Sequence, residues 1–255
     1  MADSALILII LTPLAGALLV MLAGRWPNLR EAVSIGTGLL LVAQIISIAP
    51  SVLDGSALRQ VIATPVPQLP LAFEFEPLGL LFGLIASSLW VITTIYAIGY
   101  MRGHNESNQT RFFVFFAVAI SATMGVALAA NLFTLFVFYE LLTLSTYPLV
   151  THAGTVEARQ GGRVYIGILI GTSMAFLLPA IIATWYLTGS TDFQVGGILS
   201  GKSSGPVVGI LFALFVFGIG KAALMPFHRW LPAAMVAPTP VSALLHAVAV
   251  VKAGV

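Results

Sequence analysis

Long apolar stretches recur along almost the whole chain, and they constrain the fold more than any other feature. Eight of them approach the roughly 20 residues that an α-helix needs to cross a bilayer. We predict membrane-spanning helices at Ala5–Gly24, Ala32–Ala49, Pro77–Tyr100, Phe112–Leu128, Leu132–Val150, Val164–Leu187, Val207–Met225 and Pro240–Val255. The sequence therefore predicts an all-α, polytopic bundle of about eight transmembrane helices.

The scarcity of charge excludes most soluble classes of protein. Only 8% of the residues are charged and 59% are hydrophobic, whereas a soluble domain has about 25% charged residues. This composition excludes a cytosolic enzyme, a nucleic-acid-binding protein and a disordered tail. The absence of cysteine excludes disulfides, Cys-ligated zinc and iron–sulfur clusters. We expect a chain in contact with the lipid bilayer that holds no cofactor and no metal.

Basic residues outside the helices are distributed unevenly between alternate connections. With the N-terminus outside, only Arg59 and Lys202 lie in outer segments. The inner segments hold seven arginines: Arg25, Arg30, Arg102, Arg111, Arg159, Arg163 and Arg229. Because inner loops are enriched in Lys and Arg, we predict a multi-pass protein of the cell's inner (plasma) membrane with its N-terminus outside.

Three ionisable residues interrupt the predicted helices. Glu140 is the only acidic residue deep in an apolar helix, and Lys221 and Lys252 lie in helices seven and eight. Each such charge costs at least ~2.5 kcal/mol, so it is expected to face the bundle interior or water. Glu140 and Lys221 are the opposite charges expected to pair. A purely structural pair is the alternative, although burying one often brings no net stability.

Other polar residues accompany these charges. Thr143 and Tyr147 follow Glu140 at i+3 and i+7, on the same helix face. We expect them to hydrogen-bond the carboxylate or to hold water beside it. Ser242 and His246 share a face of helix eight at i and i+4. His246 is either a proton-transfer site or a hydrogen-bonding residue in helix packing.

The segment after Lys221 is predicted to break helix seven. Prolines occur there at Pro226, Pro232, Pro238 and Pro240. One straight helix cannot accommodate them, and a break at membrane depth must border protein or water. Pro226 and His228 are therefore supporting candidates, and His228 beside Arg229 is expected to mark the aqueous interface.

Three local patterns complete the predictions. Asp54–Glu76, the longest connection, is predicted as extended surface chain because it holds three prolines. Gly167 and Gly171 are predicted to pack closely against another helix. The last stretch, Pro240–Val255, would be about 24 Å long, shorter than the ~30 Å hydrocarbon core. We expect the natural chain to continue.

Three segments together resemble one known family. Phe138–Pro148 (FYELLTLSTYP), Phe217–Met235 (FGIGKAALMPFHRWLPAAM) and Ala237–Val255 (APTPVSALLHAVAVVKAGV) are similar to the helix-five, helix-seven and helix-eight motifs of antiporter-like subunits. These subunits occur in respiratory complex I (NADH:quinone oxidoreductase), Mrp-type multisubunit cation/proton antiporters and membrane-bound hydrogenases. The combination of His246 with Lys252 favours a member of the Mrp type, of its A/D-like kind, or of the hydrogenase type.

The resemblance implies a fold and roles for named residues. It implies about fourteen helices with two inverted five-helix repeats, of which this chain would hold residues 1–111, the three leading helices, and residues 112–255, the first repeat truncated in helix eight. It makes Glu140 and Lys221 the coupling ion pair. It makes His246 and Lys252 the proton relay toward the membrane centre.

The function predicted is proton translocation, with Na⁺/H⁺ antiport an open alternative. The chain would act as one membrane subunit of an antiporter, complex I-like or hydrogenase-like assembly. Any redox energy would arrive from partner subunits, since the resemblance implies no redox site in this one. One alternative is a membrane anchor or assembly scaffold without its own ion path. Another is a subunit with a quinone pocket, for which the sequence offers no convincing site.

Overall fold

A computed structural model describes residues 5–55, 58–243 and 249–254, and helices dominate it. The helices are α1 Ala5–Leu22, α2 Pro27–Leu53, α3 Pro77–Gly103, α4 Gln109–Ala127, α5 Leu132–Val150, α6 Val156–Thr172, α7 Leu178–Thr188, α8 Gly205–Gly218, α9 Trp230–Ala234 and α10 Thr239–Val241. A π-helical turn, Ser173–Leu177, joins α6 to α7. Two strands, β1 Arg59–Val66 and β2 Leu69–Glu74, form the single sheet of the described residues.

Six helical stretches are long and apolar enough to cross a membrane. They are Ala5–Arg25, Pro27–Leu53, Pro77–Gly103, Gln109–Ala127, Leu132–Val150 and Val156–Thr188. Their outer faces expose large apolar side chains such as Leu18, Leu40 and Ile92. Apolar surface both inside and outside a helix is typical of a membrane span. The predicted polytopic helical membrane fold is confirmed.

Several helix boundaries differ from the predicted ones. The second helix begins at Pro27 rather than Ala32, because proline is favoured at the first helical position. The sixth is helical from Val156 to Thr188, and the seventh ends at Gly218 rather than Met225. The predicted eighth helix is described only in part, since residues 244–248 lie outside the described residues.

The connection predicted as extended surface chain is a β-hairpin. Strands β1 and β2 pair antiparallel, with Arg59 opposite Glu74. The start of α5 holds the second strand: Thr134 Oγ1 accepts from the Ala72 N–H at 2.9 Å, and Asn131 Nδ2 donates to the Pro70 carbonyl at 2.9 Å. The prolines did not signal this pairing, because its partners lie on a distant helix.

Close helix packing occurs at glycines other than those predicted. A Cβ at Gly167 or Gly171 would meet no described atom within 4 Å, so the predicted close contact there is wrong. One turn earlier, a Cβ at Gly161 would strike the Ala233 carbonyl, and one at Gly162 would strike Thr151. These two glycines bring α6 against α5 and α9.

A buried polar cluster joins one end of α2, α3 and α4. Arg30 and Glu31 are 4% and 6% exposed, although the sequence placed both among loops and helix ends. Glu31 accepts from Arg102 Nε at 2.9 Å and from Arg30 at 3.3 Å. Arg30 also donates to Gln109 at 2.8 Å. We call these four residues the Arg30 cluster; its charges depend on one another because they share little water.

Candidate functional site

The predicted break in helix seven is present, and it places Lys221 inside the bundle. Helix α8 ends at Gly218, and Lys221 lies in the single 3₁₀ turn Gly220–Ala222. A Cβ at Gly218 would strike the Leu177 backbone, and one at Gly220 would strike the Thr172 side chain. The two glycines therefore let the broken segment press against the π-helical turn.

Lys221 is fully buried, with 0% exposure. Its Nζ donates to the Tyr139 carbonyl at 2.7 Å and to Thr143 Oγ1 at 2.6 Å. It also lies 3.1 Å from the centroid of the Tyr139 ring, where the negative face of an aromatic ring attracts a cation. We call Tyr139 and Thr143 the neutral seat, because they offer the ammonium three electron-rich groups and no formal charge.

Two side chains hold the broken backbone beside this seat. The Lys221 N–H, released from helical pairing by the break, donates to the Tyr139 hydroxyl at 3.1 Å. The Trp230 indole Nε1 donates to the Gly220 carbonyl at 2.8 Å. Buried backbone groups need such partners, so Tyr139 and Trp230 stabilise the irregular segment that presents the lysine.

Glu140 lies next to the seat but forms no ion pair with Lys221 among the described residues. Successive helical residues point about 100° apart, so a lysine held at Tyr139 and Thr143 is turned away from the Glu140 carboxylate. The carboxylate still attracts the lysine through space. Glu140 Oε1 is buried without a hydrogen-bond partner in the structure as described, which is costly for a carboxylate.

Thr143 acts on a different group from the one predicted. Its hydroxyl accepts from Lys221 and donates to the Tyr139 carbonyl at 3.2 Å, rather than binding Glu140. Tyr147 is half-buried and packs beside Gly162. Sequence reasoning missed Tyr139, although its i, i+4 relation to Thr143 put both on one face.

The segment of Lys252 approaches the broken helix through its backbone. A Cβ at Gly254 would strike Ala222 N and lie 3.0 Å from the Lys221 carbonyl carbon. The Lys252 side chain itself is exposed on the surface of the chain. Ser242 is half-buried, and His246 lies outside the described residues. The structure thus brings the Lys252 segment to Lys221, while the predicted relay contacts involving His246 stay a prediction.

Pro226 and His228 lie away from the buried site. Pro226 is exposed and follows a cis peptide bond, and His228 is not buried. The position of His228 agrees with the expectation that it marks an interface with water.

A second buried hydroxyl pair lies one helical turn beyond Thr143. Thr146 Oγ1 and the Tyr165 hydroxyl are 2.5 Å apart, and Thr146 also donates to the Thr143 carbonyl at 3.1 Å. The Tyr165 ring packs edge-on against Trp230, with centroids 5.5 Å apart. Polar groups thus continue from the neutral seat to α6.

His152 is a buried ionisable group that the sequence did not single out. It follows α5, its carbonyl accepts from Arg111 at 3.0 Å, and its ring packs edge-on against Phe112. Burial first, and then the Arg111 charge, lower the pKa of His152 below 6.5; Glu106 and the Ser107 backbone oppose this shift. His152 is therefore held neutral near pH 7.

The chemistry available at the buried site is binding and transfer of a proton. An amine and a carboxylate are present, together with hydroxyls that both donate and accept. The described part of the chain contains no group of three His, Cys, Asp or Glu residues that could hold a metal ion.

Comparison with known proteins agrees with this geometry. The family described as NADH:quinone oxidoreductase/Mrp antiporter, TM matches residues 129–255, which include α5 and the broken helix. The putative antiporter subunit mnhA2 of Staphylococcus haemolyticus (strain JCSC1435) is 32% identical over 211 residues, covering 81% of this chain and 26% of the relative. A probable K(+)/H(+) antiporter subunit of Rhizobium meliloti (strain 1021) is 33% identical, covering 100% and 26%.

A plant relative belongs to the redox branch of the same group. The chloroplastic NAD(P)H-quinone oxidoreductase subunit 5 of Anthoceros angustus is 33% identical over 198 residues, covering 73% of this chain and 26% of the relative. The chain thus spans about a quarter of the length of these relatives.

Solved structures share the fold. The Mrp complex from Dietzia sp. DQ12-45-1b matches with a TM-score of 0.78 and 25% identity, over 98% of this chain and 27% of that one. The archaeal membrane-bound sulfane sulfur reductase matches with a TM-score of 0.81 at 22% identity, over 98% and 51%. The second likeness concerns the fold alone. Together with the Lys221 motif in its broken helix, these matches show that the chain belongs to the antiporter-like membrane subunit family shared by NADH:quinone oxidoreductases and Mrp-type antiporters.

Proposed function

We propose that this chain supplies part of a proton path in a multisubunit cation/proton-translocating membrane complex. The observation that carries the proposal is the position of Lys221, the only fully buried lysine among the described residues. An ionisable residue inside a membrane domain marks an ion or proton path unless shown otherwise. The relatives named as antiporter subunits support translocation of a cation as well as H⁺, with K⁺ and Na⁺ as the candidates.

Lys221 binds and releases the transported proton, and Glu140 tunes its charge. The adjacent positions of Tyr139 and Glu140 on α5 place the carboxylate beside the seat without occupying it. The next carriers are Lys252, whose segment packs against the Lys221 backbone, and His246. Residues 112–255 form the repeat that holds this path, and residues 1–111 support it.

The chain crosses the plasma membrane with its N-terminus outside. The Arg30 cluster and Arg111 then lie on the inner side, and the Arg59–Asp192 ion pair of 2.7 Å lies on the outer side. The basic residues of the inner loops support this orientation. The partners are other membrane subunits of the complex.

The test replaces each charged residue in the complete protein within its assembled complex. Glu140→Gln and Lys221→Gln are expected to leave assembly intact and to abolish proton flux in proteoliposomes, followed with a pH-sensitive dye. Lys202→Gln is the matched control, because this exposed lysine lies in a loop, and it retains wild-type flux. Wild-type flux in Lys221→Gln would refute the proposal. Lost assembly with normal flux in the remaining complex would favour the scaffold function.

A further inference from the structure

Lys221 has two alternative acceptors on neighbouring positions of α5. The neutral seat binds its ammonium through the Tyr139 carbonyl at 2.7 Å and Thr143 Oγ1 at 2.6 Å. Glu140, the next residue along the helix, has a buried carboxylate oxygen without a partner in the structure as described. One flexible side chain therefore lies between a neutral site that it fills and a charged site that it leaves open.

The two acceptors differ in how strongly they hold a proton on the lysine. A carboxylate near an ammonium stabilises the charged form by Coulomb attraction, which is strong where water is scarce. A carbonyl, a hydroxyl and an aromatic face also stabilise the ammonium, but each carries only partial charge. The lysine thus releases its proton more readily from the neutral seat than from beside Glu140.

The backbone at the break is held independently of the choice between them. Lys221 N–H is bound by the Tyr139 hydroxyl at 3.1 Å, and the Gly220 carbonyl is bound by Trp230 at 2.8 Å. Both polar groups of the peptide that joins Gly220 to Lys221 are therefore anchored. A change of acceptor needs only rotation of the four-carbon lysine side chain.

We propose that Tyr139 and Thr143 form a second, neutral docking position for the Lys221 ammonium, which competes with Glu140 and so sets how easily Lys221 gives up its proton. Thr143 is a positioning residue in this scheme, since it acts through the lysine. The inference rests on the proposed proton path. It adds that the Glu140–Lys221 ion pair is intermittent and that two uncharged residues control its occupancy.

The test is the substitution Thr143→Val in the complete protein within its complex. Valine keeps the shape of threonine and removes the hydroxyl, so the lysine shifts toward Glu140 and retains its proton to higher pH. The pH midpoint of proton flux is expected to move about one unit upward, the size of one hydrogen bond to a charged group. Thr143→Ser restores the hydroxyl and is expected to restore the wild-type profile.

The matched control is Thr123→Val. Thr123 is also fully buried and donates to the carbonyl four residues earlier, Ala119 O at 2.9 Å, but it lies on α4. Its substitution removes the same kind of hydrogen bond and is expected to leave the midpoint unchanged. If Thr143→Val does not assemble, Thr143→Ala must show the same upward shift.

The outcomes separate the seat from the proton path. Loss of flux in Lys221→Gln, together with an unchanged or lowered midpoint in Thr143→Val, overturns the neutral seat and leaves the path standing. Full flux in Lys221→Gln overturns both. An upward shift that Ser reverses supports the seat, because a merely structural threonine would alter stability without moving the midpoint.

Discussion

The hydroxyl of Tyr139 accepts a hydrogen bond from the backbone N–H of Lys221 at 3.1 Å. The same tyrosine binds the lysine ammonium through its carbonyl and its ring. One residue of α5 therefore fixes both the main chain and the charge of a residue 82 positions later. The broken helix thus owes its conformation to tertiary contacts rather than to its own sequence alone.

Replacement of Tyr139 by Phe tests this anchoring. The variant keeps the ring and the carbonyl but leaves the Lys221 N–H unpaired, which costs about 1–3 kcal/mol for a buried donor. We expect a lower thermal stability of the assembled complex, measured as the fraction that survives heating. Tyr186→Phe is the control, because Tyr186 is exposed; equal stability of the two variants would show that the hydroxyl bond is unimportant.

The close contact of α8 with the π-helical turn predicts a steric effect. Gly218→Ala would place a methyl group against the Leu177 backbone, and overpacking of this kind costs about 1–3 kcal/mol. The expected result is reduced yield and stability of the complex. Gly209→Ala, in the same helix but facing open space, is expected to behave as wild type. Similar losses in both variants would mean that helix propensity or assembly, and not this contact, dominates.

The Arg30 cluster predicts a stability effect without a transport effect. Glu31→Gln leaves Arg30 and Arg102 without their shared carboxylate, a change that costs up to about 3 kcal/mol because Arg30 is buried. Resistance to heating should fall, whereas flux per assembled complex should stay normal. Glu157→Gln, at an exposed position, serves as the control. A drop in flux per complex would instead assign the cluster to the proton path.

His152 predicts acid sensitivity of the fold. Its pKa lies below the ordinary value of 6.5 because of burial and Arg111, so below about pH 6.5 the unfolded chain binds a proton more readily than the folded one. Stability contributed by neutral His152 is therefore present above that pH and is lost as the pH falls.

The corresponding variant is His152→Phe. It fills the place beside Phe112 without a titrating group, and its stability should depend less on pH between about 7 and 5.5. Parallel melting curves of wild type and variant over this range provide the measurement. An identical loss in both would mean that other groups cause the acid sensitivity.

The membrane fold and the central charges could be predicted, because both follow from local chemistry. Apolar runs long enough to span a bilayer predicted the helices, and Glu140 and Lys221 were conspicuous as charges within them. Four prolines after Lys221 predicted the break. These signals need no knowledge of which helices touch.

The remainder depends on tertiary contacts that no local pattern reveals. Tyr139 binds Lys221 largely through a backbone carbonyl, a group that every residue carries. Arg30 and Glu31 resemble ordinary helix-end residues until α3 and α4 cover them. The hairpin is secured by Thr134 and Asn131, which lie about 60 residues after it.

The protonation of Lys221 itself is the most direct test of the account. Nitrogen-15 NMR of the complex with labelled lysine, with the Lys221 signal assigned by its loss in Lys221→Arg, distinguishes ammonium from neutral amine. The account predicts that this signal changes from ammonium to amine across the pH range in which proton flux varies. A signal that stays in one form throughout that range would contradict the claim that Lys221 carries the proton.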